Sequence, residues 1–388
     1  MTPAFQRDGV SIFQGDCRDV LRSMPADSVQ CICTSPPYWA QRDYNVDGQI
    51  GLERKLADYV AVMVDVFREC RRVLHPSGLM FLNIGDKYST DSKWGGSSSN
   101  KNEAEIGDPV RKFRWESGCK PKDACGVPWR VFLALQADGW FWRDTIVWHK
   151  PAPMPLSVDD RCTPSWEPIG MFAKRGRYFS DMEAVKEPCK AVSIERLKSG
   201  WNGDNKRDFP GGQHNNFDRY MGSEAAMETA LAGANKRNVW SLTPEPFDGG
   251  HFAVFPSDLP RTCFRIGTSE HGCCPECRAP YKRIVDKTKL TRERPNEYTK
   301  RTGQEGTGNS CANTVAGVAS RTTGWEPTCK CDAGKPVPCR VLDPFFGSGT
   351  TGEVAQELGC ECDGIELNPE YIELAKERFK QRTFLVGA

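Results

Sequence analysis

Arg340-Val341-Leu342-Asp343-Pro344-Phe345-Phe346-Gly347-Ser348-Gly349-Thr350-Thr351 decides the fold. Arg340 to Asp343 reads as a short buried strand, and Thr350 to Leu358 as a helix. Gly359 follows the helix, at the position where a left-handed cap favours glycine. Between strand and helix, Gly347 and Gly349 remove side chains where backbone must approach a ligand closely. Working outward, Cys362 to Glu366 reads as the next strand. Asn368 caps a last helix with Pro369 at its first position, and Ile372, Ala375 and Phe379 face inward. Strand, glycine turn, helix, strand is the parallel α/β pattern. Glu366 stands at a strand end, where a carboxylate can accept hydrogen bonds from two ribose hydroxyls. The pair suits a nucleotide-like cofactor, although an ordinary tight turn and a surface glutamate would read the same way. No Gly-Lys-Ser/Thr loop is present, which disfavours a nucleoside triphosphate. Phe345-Phe346 offers an apolar wall in place of the third phosphate-facing glycine of a dinucleotide site.

The same rhythm occupies the N-terminal part. Val10 to Phe13 reads as a strand ending in the acidic loop Gly15-Asp16, and Val29 to Cys33 as a second strand. Leu56, Tyr59, Val60, Met63, Phe67 and Cys70 keep helical spacing with one buried face. Pro76-Ser77-Gly78 breaks that pattern before a buried strand over 79–84. A helix opens at Val127-Pro128 and runs to about Ala137. Strands follow over 140–148 and 169–179, the latter with a hairpin around Lys174-Arg175-Gly176. Trp140 and Trp142 on the first of these are core residues by position. His149, beside its end, is a packing or hydrogen-bonding residue.

The second chemical signature is Thr34-Ser35-Pro36-Pro37-Tyr38-Trp39. Two prolines after a strand hold the chain extended, so carbonyls there have no helix to satisfy them. The Ser35 hydroxyl and the Pro36 carbonyl can together accept both hydrogens of a planar exocyclic amine. That aims the nitrogen lone pair at an electrophile. Tyr38 offers a flat face on which a base can stack. A proline-stiffened loop with a buried tyrosine is the bland alternative. About three hundred residues separate this turn from the glycine loop, so only folding can bring them together.

With both signatures in this order, the chain resembles the permuted, beta-class amino-group DNA methyltransferases of bacteria and their phages. Thr34 to Tyr38 matches that family's catalytic motif, so Ser35, Pro36, Pro37 and Tyr38 are the implied catalytic residues. Asp343 to Thr351 matches its S-adenosyl-L-methionine loop. The resemblance implies cofactor contacts at Asp343, Pro344, Phe345, Gly347, Gly349 and Thr350, with Glu366 on the ribose and Asp16 near the adenine. His251 to Pro256, including Phe255, resembles the segment bordering the methionine end. Trp148-His149-Lys150-Pro151 through Arg161 and Glu167 resembles the later core strands and the loop near the target base. Phe346 and Trp166 depart from the pattern, which commonly has a small residue and a histidine there. The family implies a Rossmann-like sheet of seven mostly parallel strands, transfer to a flipped base in double-stranded DNA, and a cognate restriction endonuclease as a potential partner. Serine at the first catalytic position is typical of cytosine-N4 enzymes, against Asp or Asn for adenine-N6. Protein or RNA methylation, and a catalytically silent zinc-stabilised DNA-binding module, are the rival readings. Cys31 and Cys33 lie inside an apolar strand and do not suggest carbon-5 chemistry.

Cys274-Pro275-Glu276-Cys277 is a compact knuckle, and Cys329-Lys330-Cys331 follows about fifty residues later. Two thiolate pairs can complete a closed tetrahedral structural zinc site, with Cys273 and Cys311 as substitute ligands. The basic stretch between them is poor in core residues, so a metal would anchor what apolar burial cannot.

These readings divide the chain. Residues 1–88 carry the catalytic part, 89–125 a flexible insert, 126–181 core strands, and 182–250 a DNA target-recognition region. Residues 251–270 border the cofactor, 271–335 form a zinc-ribbon-like insert, and 336–388 bind the cofactor. Lys101, Lys112, Arg114, Lys198, Lys206, Arg207, Lys236 and Arg237 are candidate phosphate contacts, and Trp115 a base-stacking one. Composition agrees. A chain of 388 residues with formal net charge +1 buries a full core without a global basic field. Its 18 cysteines, scattered through a large chain, favour reduced thiols. Without an export leader or membrane-length apolar run, the expected location is cytoplasmic.

Overall fold

The computed structural model describes residues 1–89, 115–153, 155, 157–189, 192, 194–195, 233–244, 255–293, 313–332 and 334–386. Strand β3 (Val29–Thr34) is buried at every residue, which demands cover on both sheet faces. It lies inside a sheet with β1 (Phe5–Arg7), β2 (Val10–Gln14), β4 (Leu74–Asn83), β5 (Phe141–His149), β6 (Trp166–Ala173), β7 (Val239–Ser241), β10 (Arg340–Asp343) and β11 (Glu361–Glu366). The order is β1-β2-β11-β10-β3-β4-β6-β5-β7. Only β1 and β6 run against the rest. Among the described residues the sheet therefore has nine strands, not the expected seven. The two extra strands, β1 and β7, are three-residue edge pieces.

Helices α1 (Cys17–Ser23), α2 (Leu56–Val73), α3 (Val127–Ala137), α4 (Asp258–Gly267), α5 (Thr350–Glu357) and α6 (Pro369–Val386) flank the sheet. Strand alternation assigns their sides. Ile32, Met80 and Leu82 join a core with Leu21 of α1, Tyr59, Met63 and Phe67 of α2, and Val131 and Phe132 of α3. Cys31 and Leu79 point the other way, onto Gly267 of α4, where an added methyl would sit 2.5 Å from the Cys31 sulfur. Burial pushes the Cys31 thiol well up, as suits a packing residue. Trp140 is 2% exposed, in keeping with a core position. Trp115 packs edge-on against Trp39 at 6.0 Å.

The structure differs from the sequence reading in several elements. The Gly15-Asp16 loop is the start of α1, with Asp16 as its cap. β4 begins at Leu74, so Pro76-Ser77-Gly78 is strand, accommodated by a bulge opposite Val29 and Cys31. β6 starts at Trp166 and stops at Ala173, leaving Lys174-Arg175-Gly176 as a turn. α4 and β7 carried no periodic signal. Residues 90–114, 196–232, 245–254 and 294–312 lie outside the described residues. Lys101, Lys112, Arg114, Lys198, Lys206, Arg207, His251 to Val254 and Cys311 lie there with them.

The chain divides into two compact units. The first is Met1–Asp181, Arg237–Lys282 and Pro327–Ala388; the second is Met182–Lys236 and Arg283–Glu326. The second unit contains most of a two-stranded sheet, β8 (Tyr281–Glu293) with β9 (Asn313–Pro327). Within it the Arg283 guanidinium lies 4.3 Å from the Trp325 ring centre, and Ser320 donates to Glu183 at 2.8 Å. No helix among the described residues is long and apolar enough to cross a membrane.

Candidate active site and candidate metal centre

Parallel pairing places the two signatures side by side. β3 and β10 are neighbours, with Leu342 opposite Ile32. The serine-proline turn and the glycine loop therefore leave the same sheet edge on adjacent strands. That edge gathers the strand ends on either side. Gln14 of β2 is level with Glu366 of β11, Asn83 ends β4, and Trp148 near the end of β5 is level with Glu167. Such a carboxyl-end crevice is where open α/β sheets bind ligands. A cleft of about 420 Å³ opens there. Ser35, Pro36, Pro37, Tyr38, Asp16, Phe255, Asp343, Pro344, Phe345, Gly347, Thr350 and Glu366 all line it. Gly349 does not; with φ at +89° it caps α5 behind the loop.

Asp343 ties the halves together. Its carboxylate accepts from Thr34 Oγ1 at 2.6 Å, Thr351 Oγ1 at 2.9 Å and the Phe345 amide at 3.0 Å. One buried group thus links the strand before the catalytic turn to the loop and its helix. Burial outweighs these donors and pushes the carboxyl up to about 6. A carboxyl that holds its proton more tightly when folded contributes stability that is fully present below its unfolded value, near 3.8. That contribution is lost as pH rises through about 6, a span worth on the order of 3 kcal/mol. Denaturant unfolding between pH 4 and 7 should contain this decline in the wild type. Asp343→Asn, which cannot ionise, should lack it; identical pH slopes would contradict the assignment.

Glu366 accepts from the Gly347 amide at 2.8 Å and the Asn368 amide at 2.7 Å. Burial raises its carboxyl as well. Asp16 lines the cleft, but its carboxylate caps α1 through the Arg18 amide at 2.8 Å and pairs with the Arg18 guanidinium. That guanidinium holds the carboxyl below the usual range. Phe346 is 3% exposed and packs where Gly352 and Gly364 leave room. A methyl on Gly364 would fall 2.3 Å from its ring, so two glycines absorb the bulk that departs from the family pattern. The Ser348 hydroxyl is buried at the cleft without a partner among the described residues. An orphaned buried polar atom of this kind calls for a polar ligand group. Together with the Glu366 carboxylate and the aromatic wall, it fits S-adenosylmethionine.

On the other side of the cleft, the Tyr38 hydroxyl lies 2.9 Å from Glu167 Oε2, 3.0 Å from Asn83 Oδ1 and 3.3 Å from Ser35 Oγ. Lys150 Nζ pairs with Glu167. Burial first, then the Glu167 carboxylate, push the Tyr38 hydroxyl well up, so it stays protonated. One side of its ring rests on Gly85, where an added methyl would sit 2.5 Å away. His149 Nδ1 contacts Ser241 Oγ at 3.0 Å, a structural role. Asn83, Tyr44 and Tyr371 also line the cleft and were not singled out by sequence. Asn83 could have been found from its place at a strand end. Tyr44 and Tyr371 meet edge-on at 6.2 Å from opposite ends of the chain, with no sequence signal.

The candidate ligand atoms of Cys274, Cys277, Cys329 and Cys331 all lie within 4.8 Å of one another. A tetrahedral zinc with bonds of about 2.3 Å needs sulfurs about 3.8 Å apart, so this cage needs little contraction. The Glu276 and Cys277 amides are directed at Cys274. Arg278 takes φ +61° to turn the chain back, and Thr328 Oγ1 donates to the Pro280 carbonyl at 2.6 Å. None of the four cysteines lines the cleft.

The chain matches the family model for DNA methylases of the N6/N4 methyltransferase type over residues 29–274 and 340–377. It is 33% identical to the type II methyltransferase M.SmaI of Serratia marcescens, covering 96% of this chain and 91% of that one. It is 34% identical to the type II methyltransferase M.Cfr9I of Citrobacter freundii, covering 96% and 88%. Among solved structures, the cytosine-N4-specific PvuII DNA methyltransferase superposes with a TM-score of 0.54 at 16% identity, over 97% of this chain and 89% of that one.

Proposed function

Because the chain belongs to the N6/N4 family of DNA methylases, we propose that its cleft transfers a methyl group from S-adenosylmethionine to the exocyclic amine of a flipped base in double-stranded DNA, with cytosine-N4 as the favoured target. The observation that carries this reading is the shared cleft: Ser35 and Pro36 face the glycine loop and Glu366 across one cavity. The bound cofactor supplies an electrophilic methyl on a sulfonium. The protein's own work is positional. Ser35 Oγ and the Pro36 carbonyl hold the amine hydrogens, Glu366 takes the ribose hydroxyls, and Phe255 and Phe345 wall off water. The base must leave the duplex, at a cost of a few kcal/mol, offset by stacking and hydrogen bonds inside.

Ser35 at the first catalytic position favours cytosine; adenine-N6 is the alternative. The four-cysteine cage is read as a structural zinc site remote from methyl transfer. The type II relatives support a cognate restriction endonuclease as a functional partner. Nucleoside mass spectrometry of DNA modified by the protein tests the reading directly. N4-methylcytosine is the expected product. N6-methyladenine would overturn the base assignment, and unmodified DNA would overturn the enzyme.

A further inference from the structure

Methyl transfer to an amine leaves one proton to dispose of, and the residues that hold the amine are poor bases. The hydrogen-bond arithmetic beside them identifies a destination. Tyr38 has a single O–H, yet acceptors stand at 2.9 Å (Glu167 Oε2) and 3.0 Å (Asn83 Oδ1). Asn83 is held with its oxygen toward Tyr38, because its Nδ2 donates to the Pro168 carbonyl at 3.3 Å. A carboxylate is the stronger acceptor, so Tyr38 donates to Glu167, and the Asn83 contact has no proton of its own. The cluster is therefore one proton short of satisfying every contact.

We propose that Glu167 is the terminal acceptor of the proton released in methyl transfer, reached through Ser35 and Tyr38. This rests on the methyltransferase reading above. The amine nitrogen bonds the methyl carbon as the carbon–sulfur bond breaks, its electron pair staying on sulfur. The amine proton passes to Ser35 Oγ, the Ser35 proton to Tyr38 over 3.3 Å, and the Tyr38 proton to Glu167 over 2.9 Å. Tyr38 and Ser35 each gain and lose one proton and end neutral; Glu167 ends as the carboxylic acid. Its new O–H then donates to Tyr38, whose own O–H turns to Asn83, and the missing contact is filled. Lys150 pairs with Glu167 on the side away from this chain of contacts and takes no part in the transfer. The cleft also holds Asp343 and Glu366, so a pH profile alone would mix several carboxyls.

The test is single-turnover methyl transfer into duplex DNA in light and heavy water, with cofactor affinity measured alongside. Glu167→Gln keeps the length and an acceptor oxygen but cannot take a proton; Tyr38→Phe removes the middle oxygen. Each should slow the methyl-transfer step by about 100-fold while leaving cofactor affinity unchanged. The double variant should be little slower than either single one. The wild-type solvent isotope effect, bowed in mixtures of the two waters because several protons move, should collapse in both variants. A Glu167→Gln rate close to wild type overturns the relay. So does a slow Glu167→Gln variant that keeps the wild-type isotope response, since that marks a purely positioning role. A wild type inactive on all duplex DNA overturns the methyltransferase reading itself, whereas an active wild type with a fast variant overturns the relay alone.

Discussion

Ser35→Ala is expected to lower the rate of methyl transfer by about 1000-fold, in the range seen when a single oriented hydrogen-bonding group is removed from a reacting centre. Cofactor affinity should stay within about twofold, a change of under half a kcal/mol. The split follows from position. Ser35 stands on the turn after β3, across the cleft from Gly347 and Glu366. Among the described residues its side chain hydrogen-bonds to Tyr38 and to no cofactor-side group. Removing the oxygen leaves the amine held by the Pro36 carbonyl alone, free to rotate its lone pair back into the ring. It also breaks the proton path to Glu167. Equilibrium binding of the cofactor and rapid-quench methyl transfer on the same preparation check both halves. A comparable loss of cofactor affinity would mean that the serine belongs to the cofactor side.

Loss of the metal should be the largest effect on stability. The protein as purified should carry about one zinc per chain, and Cys274→Ser or Cys329→Ser should carry far less. Tying the roughly 50-residue loop between Cys277 and Cys329 is worth about 4 kcal/mol by the chain-entropy estimate for a cross-link. Elemental analysis gives the metal content. Hydrogen exchange over residues 272–282 and 327–332 should show protection lost on chelation. Exchange around Ser35 and Gly347 should stay as before, since none of the cysteines lines the cleft. A metal-free protein with full protection at the knuckle would remove the zinc site. Apolar burial offers this segment little alternative: Cys277, Cys329 and Cys331 are only half-buried.

Much of the site was legible because its parts are local. Gly347, Gly349 and Glu366 sit within one strand–turn–helix–strand unit, and Ser35 to Tyr38 within one proline turn. The bordering elements were legible where periodicity was strong, as in α2, and were missed where elements are short or irregular. β7 spans three residues, and the bulge in β4, opposite Val29 and Cys31, lets a proline and a glycine stand in a strand. Asp16 was placed at the cleft, but its service as a helix cap bonded to Arg18 depends on where α1 begins. The departure at Phe346 could be seen in the sequence; its accommodation by Gly352 and Gly364 could not, because the three meet only when α5 and β11 pack.

By itself the sequence determined a parallel α/β chain, a serine-proline turn after a strand, a glycine loop with an acidic strand end beyond it, and two cysteine pairs. Each is written in residues close enough in the chain for backbone preference to set their geometry. Only the tertiary structure decided that the turn and the loop leave neighbouring strands, joined by Thr34 and Asp343 across 309 positions. It alone assembled Tyr38, Asn83, Lys150 and Glu167 into one hydrogen-bonded cluster. Strand order and direction are set by the burial of whole sheet faces, a property of the folded core that no local stretch of residues encodes.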